Sequence, residues 1–233
     1  MTQLIDFFIE PYKTAWIVHI ILEFVAMAAG ILSVYFAKKE NILVYPVGIV
    51  STAIYVYLLS QWQLYGDLII NIYYTMMSLY GWWFWSRIIN EETQEHIPIT
   101  PMNSRNYLST MAIFFFTSVF VIIVYRYYDV IPADRGLGDT FTYVFAKLSS
   151  GDLDQLREVM PYVDTFTTGA AFAAMWLMAN KKLESWFMWI VVNVASVPLY
   201  FIKGFGFTGI QYTVFLILAI QGHYEWKRRM KTS

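Results

Sequence analysis

The sequence predicts an all-α membrane protein with seven transmembrane helices. Three observations predict it. Seven separated apolar stretches fill most of the 233 residues, each close to the roughly 18 to 20 residues that span a hydrocarbon core of ~30 Å at about 1.5 Å rise per residue. Charged residues make up 14% of the chain and hydrophobic ones 58%, whereas an average soluble domain is about 25% charged. The 18 Tyr, 18 Phe and 9 Trp present more apolar surface than a soluble chain of this size can cover.

The stretches are residues 16–37, 42–59, 68–85, 108–125, 162–179, 186–202 and 207–224. Ahead of the first stand Asp6, Glu10 and Lys13. This lacks the basic leader of a cleaved signal peptide, so the first span is expected to be permanent. With seven spans, the basic residues near Lys38-Lys39, Arg87, Arg105, Lys181-Lys182 and the tail face one side. They number 10, against 6 on the other, where Lys13, Arg126, Arg135, Lys147, Arg157 and Lys203 stand. Positive charge marks the cytoplasmic side, which predicts the N-terminus outside and the C-terminus inside. A net charge of -1 without a basic face excludes a nucleic-acid binder. The absence of cysteine excludes disulfides, thiolate metal sites and cysteine catalysis.

The spans group as three, one and three. Lys38-Lys39 recurs as Lys181-Lys182 at a distance of 143 residues, and Gly81 with Trp85 recurs as Gly222 with Trp226 at 141, so a two-residue gap is expected between two related halves. Halves of three spans keep the same orientation only if an odd helix, residues 108–125, joins them. This predicts a 3+1+3 parallel repeat resembling the SWEET fold, with residues 16–86 and 162–226 as three-helix bundles and 87–161 as the connecting region. Within that region, residues 87–106 are polar and read as a cytoplasmic linker. Residues 128–161 read as an outer loop in which the amphipathic run 140–148 either lies on the membrane surface as a short helix or stays mobile.

Polar side chains inside a bilayer are costly and mark function. Asp67, Asn71, Tyr74, Ser78 and Trp85 share one face of the third span, as do Trp186, Trp189, Asn193, Ser196 and Tyr200 on the sixth. Asp164 and Thr168 line the fifth, Gln211 opens the seventh, and Glu23 lies in the outer half of the first. No buried Lys or Arg is expected to oppose them. Such a face suits a neutral or cationic ligand with a flat ring and hydroxyls, and not a phosphate. The same residues also have plainer readings. The two tryptophans fit an interfacial belt, Asn71 and Asn193 fit inter-helix hydrogen bonds worth about 0.6 kcal/mol, and Asp67 and Asp164 fit solvated span ends. Gly204, Gly206 and Gly209 match a dinucleotide fingerprint but join two spans, so they are a turn. His19, His96 and His223 lack ligand spacing, which predicts no metal site. No cofactor motif or catalytic constellation is present, and an enzyme is not expected.

The run from Lys181 through Trp186, Trp189 and Asn193 to Tyr200 resembles the hallmark of the PnuC family of bacterial vitamin transporters. Leu79 to Trp85, the Asn71 to Tyr74 element and Asp164 with Thr167-Thr168 resemble it too. The resemblance covers about residues 20–86 and 162–226. It implies inner-membrane residence among membrane lipids, homo-oligomers with a trimer as one form, and facilitated diffusion of nicotinamide riboside across the membrane, with no cofactor. It assigns Trp186 and Trp189 to ring stacking, Asn71 and Asn193 to amide or ribose groups, and Tyr74, Tyr200, Gln211 and Thr168 to the wall. Asp67, Asp164 and Glu23 would gate the mouth or favour a cation. Two departures, Tyr45 where the family often has Trp and the long outer stretch, leave thiamine and riboflavin open as substrates, with a sugar behind them.

Overall fold

The computed structural model describes residues 16–62, 65–90, 95–132 and 136–231. Asp6, Glu10, Lys13 and Arg135 lie outside the described residues. The described residues form eight helices: α1 Ile17–Lys38, α2 Val44–Gln61, α3 Tyr65–Trp85, α4 Ser104–Tyr127, α5 Leu137–Leu148, α6 Leu153–Ala179, α7 Glu184–Ile202 and α8 Gly206–Met230. Between α3 and α4, two short strands, β1 Ile88–Asn90 and β2 Glu95–His96, pair antiparallel. By length and composition α1, α2, α4 and α7 can each cross a membrane. Helices α3, α6 and α8 are as long, at 21, 27 and 25 residues, and carry much of the polar stripe.

Each helix of the two three-helix groups packs on the next. The order runs α1, α2, α3, α6, α7, α8 and returns to α1, so six helices close into a ring. Helix α4 packs along α6 from outside that ring. The approach is close, because a Cβ on Gly169 would fall 2.3 Å from Ser118 Oγ and 3.0 Å from the Phe114 carbonyl. Small residues let helix backbones come together in lipid, where apolar burial between helices gains little.

Two segments differ from the sequence reading. Helix α6 begins at Leu153, well before the expected start at residue 162. The Asp152 carboxylate caps it by accepting the Asp154 N–H at 3.0 Å, and Pro161 lies inside the helix. A proline inside a helix costs about 3 kcal/mol. Here Val159 and Met160 are buried against Leu199, and this packing carries the helix through the proline. The stretch before it is also helical: α5 presents Phe141, Phe145 and Leu148 outward on one face. Its other face is held to α6, where Tyr143 donates to Glu158 at 2.7 Å and Lys147 pairs with Glu158 at 3.0 Å.

Local geometry recurs at a uniform distance of 141 residues, with no two-residue gap. Helix α1 ends with Glu40 in a left-handed conformation (φ 55°), and α6 ends with Lys181 in the same conformation (φ 51°). The N–H of Asn41 donates to Phe36 O at 2.9 Å, and that of Lys182 to Leu177 O at 3.0 Å. This six-residue closure ends each helix in the same left-handed turn. The structural counterpart of Lys181 is therefore Glu40, and the doubled lysines noted in the sequence do not superpose. Glu40 and Lys181 instead pair with each other at 2.8 Å.

The same shift carries Tyr45, Gly81 and Trp85 onto Trp186, Gly222 and Trp226. Tyr45 and Trp85 meet edge to face with centroids 5.1 Å apart, as do Trp186 and Trp226 at 5.5 Å. Each ring occupies the space that its glycine leaves, since a Cβ on Gly81 would fall 2.3 Å from the Tyr45 ring and one on Gly222 would fall 2.7 Å from that of Trp186. Gly222→Ala is expected to overpack this cluster and cost about 1 to 3 kcal/mol. Melting in detergent should show a lowered midpoint, and adding Trp186→Leu should recover part of it; an unchanged midpoint for Gly222→Ala would contradict the packing.

Candidate functional site

Around the middle of the ring, α3, α6 and α7 bring four aromatic rings together. Tyr73 stacks on Phe172 with centroids 3.9 Å apart and planes 6° from parallel, and its hydroxyl donates to the Phe172 carbonyl at 3.0 Å. Tyr74 meets Trp189 edge to face at 6.2 Å and reaches Phe172 at 6.4 Å. Ala170, Ala171 and Val192 pack behind them. Tyr74 and Trp189 are predicted site residues that the fold joins directly across two helices. Phe172 and Tyr73 were missed, because a stacked pair between α3 and α6 leaves no periodic trace in an apolar run.

One turn beyond Trp189, Asn193 is 3% exposed, and on α8 Gln211 is 7% exposed. Neither side chain makes a hydrogen bond among the described residues. Neither amide is among the fully enclosed polar atoms left without a partner, so each keeps hydrogen-bonding capacity that a ligand could meet. Asn71, by contrast, spends an amide N–H on the Asp67 carbonyl in its own helix at 2.9 Å. Thr168 is buried on α6, and Glu23 is half-buried on α1.

Toward the end of the ring away from the Trp186–Trp226 cluster, Tyr200 stacks on Tyr212 with centroids 4.8 Å apart. Tyr212 in turn lies within electrostatic range of Tyr74. Beyond them is a charged cluster. Asp164 accepts a hydrogen bond from Tyr125 of α4 and pairs with Lys203 at 3.6 Å. Asp67, exposed in the first turn of α3, lies within range of both Asp164 and Lys203. The sequence expectation concerns buried Lys or Arg only, and Lys203, with its side chain 32% exposed, adds a partly solvated cation beside Asp164. It follows the last residue of α7 and comes back over Asp164 and the Tyr200 ring, 5.7 Å away. A cavity of about 610 Å³ opens beside this cluster, between the end of α4, the first half of α6 and the α7–α8 turn. It touches the site through Tyr125 and Lys203 only and is separate from the Tyr74–Trp189 wall.

Trp186 stands apart from the other predicted residues. It is 1% exposed, wedged between Trp226 and Gly222 in the cluster at the basic end of the ring. No face of its ring is left for a ligand, so its assignment to ring stacking is corrected to packing. Trp186→Ala is therefore expected to cost about 3 to 5 kcal/mol of stability with affinity retained in the protein that stays folded. Trp189→Ala is expected to lower affinity roughly tenfold through about 1 to 2 kcal/mol of lost ring contact. Melting and ligand binding measured on both variants check the contrast, and the reverse pattern would exchange the two roles.

Comparison with known proteins agrees with this architecture. The model of the nicotinamide mononucleotide transporter family matches residues 20–228. The nicotinamide riboside transporter PnuC of Escherichia coli (strain K12) is 25% identical over 221 residues, which cover 92% of this chain and 86% of that protein. The protein of the same description from Neisseria mucosa is 25% identical over 218 residues, 89% of this chain and 72% of its own. The riboflavin/roseoflavin transporter RibM of Streptomyces davaonensis is 31% identical over 71 residues, 30% of this chain. The crystal structure of the vitamin B3 transporter PnuC matches in fold with a TM-score of 0.59 at 23% identity, covering 91% of this chain and 82% of its own. With its helices, its apolar character and nearly its whole length matched, the chain belongs to the nicotinamide mononucleotide transporter family.

Proposed function

We propose that this chain carries unphosphorylated nicotinamide riboside across the bacterial inner membrane by facilitated diffusion. The observation that carries the reading is the pairing of an aromatic wall with two buried amides that have no protein partner. Trp189 and Tyr74 would take the flat, cationic nicotinamide ring, while Asn193 and Gln211 would bond its carboxamide and the ribose hydroxyls. Tyr200, Thr168 and Asn71 complete the wall. A phosphate finds no counterpart there. Among the described residues the one buried charged side chain is Lys181, and it is committed to Glu40, to the Ile97 carbonyl and to the face of Trp85. This favours the riboside named for the relatives over the mononucleotide named for the family.

Helices α1, α2, α3, α4, α6, α7 and α8 would each span the bilayer, and the 141-residue correspondence supports a SWEET-like 3+1+3 repeat. Transport would then proceed by alternating access, the two groups rocking about a midplane site. Asp67, Asp164, Glu23 and Lys203 belong to its outer half, where two carboxylates beside one lysine favour an approaching cation. The basic end faces the cytoplasm and α5 lies on the outer surface. The protein would work as a homo-oligomer.

Calorimetry of nicotinamide riboside, thiamine and riboflavin on purified protein tests the substrate. The riboside is expected to bind tightest, and Asn193→Leu to weaken it by about 1 to 3 kcal/mol without a matching loss of melting temperature. Preferential binding of riboflavin, or an unchanged affinity in Asn193→Leu, would overturn the assignment. Orientation is tested on a chain with no cysteine of its own: a cysteine introduced at Ser150 should react with an impermeant reagent from outside, and reaction from the cytoplasmic face alone would reverse the topology.

A further inference from the structure

We infer that α5 is a membrane-interface anchor: Phe141, Phe145 and Leu148 enter the outer lipid leaflet at headgroup level and tie the start of α6 to it. This rests on the proposal that α4 and α6 span the bilayer, and on nothing about the substrate. Helix α5 has three faces. Tyr143 and Val144 pack with Val159, Met160 and Leu199, and on that side Tyr143 and Lys147 hold Glu158. Asp139, Thr142 and Ala146 form a second face, of exposed polar and small residues. Phe141, Phe145 and Leu148 form the third, at the four- and three-residue spacings that bring side chains to one side of a helix. Phe141 is 75% exposed and Phe145 66%. At 3.6 residues per turn the three faces stand roughly 120° apart. A helix lying in the plane of the interface, with α6 on its flank, needs this division: lipid on one open side and water on the other.

The depth of α5 follows from what holds it. Asp164 of α6 is hydrogen-bonded by Tyr125, the last residue of the apolar stretch 108–125 on α4. Just past it, α4 ends in the exposed rings of Tyr127 and Tyr128, and such rings collect where membrane meets water. Asp164 therefore marks the edge of the hydrocarbon. Glu158 stands six residues farther out on α6, about 9 Å along the helix. With a core of ~30 Å in a bilayer of about 40 to 45 Å, each headgroup layer is roughly 5 to 8 Å deep. This puts α5 against that layer, where burying two phenylalanines and a leucine is favourable and burying Asp139 is costly. A second copy of the chain is the competing occupant of the apolar face. Its three side chains expose on the order of 350 Å², well short of the roughly 800 Å² that each partner gives to a stable interface.

The test uses the full chain, which has no cysteine of its own, in vesicles of phosphatidylethanolamine and phosphatidylglycerol. Nitroxide labels are placed singly at Phe145→Cys, at Thr142→Cys and, as the lipid reference, at Phe116→Cys on the exposed side of α4. Collisions with oxygen, which concentrates in lipid, are compared with those of a water-soluble nickel chelate. The oxygen-to-nickel ratio at Phe145→Cys is expected to approach that of Phe116→Cys and to exceed that of Thr142→Cys several-fold. If Phe145→Cys does not assemble, Phe141→Cys carries the same expectation. A ratio at Phe145→Cys no higher than at Thr142→Cys, with Phe116→Cys in lipid, overturns the anchor and leaves the spans standing. A label at Phe145→Cys screened from both reagents means that protein covers the face, and this also overturns the anchor. Free access of nickel to Phe116→Cys overturns the spanning proposal and the anchor with it.

Discussion

The crossed contact at the basic end of the ring holds the two helix groups together. Lys181 is 4% exposed, and a buried ammonium is expensive unless paired and hydrogen-bonded. Here it meets Glu40 at 2.8 Å, donates to the Ile97 carbonyl at 2.8 Å and lies 4.7 Å over the Trp85 ring. Around it the indoles cross between groups. Trp85 donates to Ala179 O at 3.1 Å, and Trp226 donates to Ala37 O at 2.9 Å. Each bond ends on a carbonyl in the last turn of a helix, where no residue further along that helix can satisfy it. Lys39 with Glu225 and Arg229 with Glu40 extend the contact at its rim. Apolar surface alone gains little between helices in lipid, so these polar bonds are what join the two helix groups at this end of the ring.

The remaining polar chemistry lies farther along the ring. Asn193 stands one turn beyond Trp189, Gln211 precedes Tyr212 on α8, and the Tyr200–Tyr212 stack lies beside Lys203, which pairs with Asp164. The charged pair is 21% and 32% exposed, so it is partly solvated, and its weight in stability is correspondingly small.

The all-helical, apolar architecture was legible because it rests on local periodicity. The meeting of Tyr74 with Trp189 joins two faces that the same periodicity marked. What the sequence hid depends on partners far along the chain. Trp186 and Trp189 are three residues apart and share a stripe, yet Trp186 turns into the gap at Gly222 while Trp189 turns to Tyr74, and no local pattern separates these fates. Tyr125 and Lys203 looked like an apolar-run tyrosine and a span-end cation until α4 and the α7–α8 turn brought them to Asp164. Pro161 read as a boundary, and packing against Leu199 carried α6 through it. Matching the doubled lysines misplaced the correspondence by two residues, because what recurs is a backbone turn and not a residue type.

Helix α4 and the segment before it touch the two groups unequally. Thr100 accepts from Leu183 N–H and donates its own N–H to Lys181 O, both at 3.1 Å. Lys182 Nζ donates to Thr100 Oγ1 at 2.7 Å, and Met102 N–H donates to Glu184 at 3.0 Å. At the other end of the same helix Tyr125 holds Asp164. Thus α6 is splinted just past its last residue, along its side at Gly169 and near its middle at Asp164 by an element that belongs to neither group, whereas Leu43 N–H and the Asn41 side chain close the matching turn after α1 on themselves at 2.9 Å. Under the proposed alternating access, any relative movement would break more bonds on the splinted side, so that one part of a repeated design would serve as the frame and the other as the moving arm.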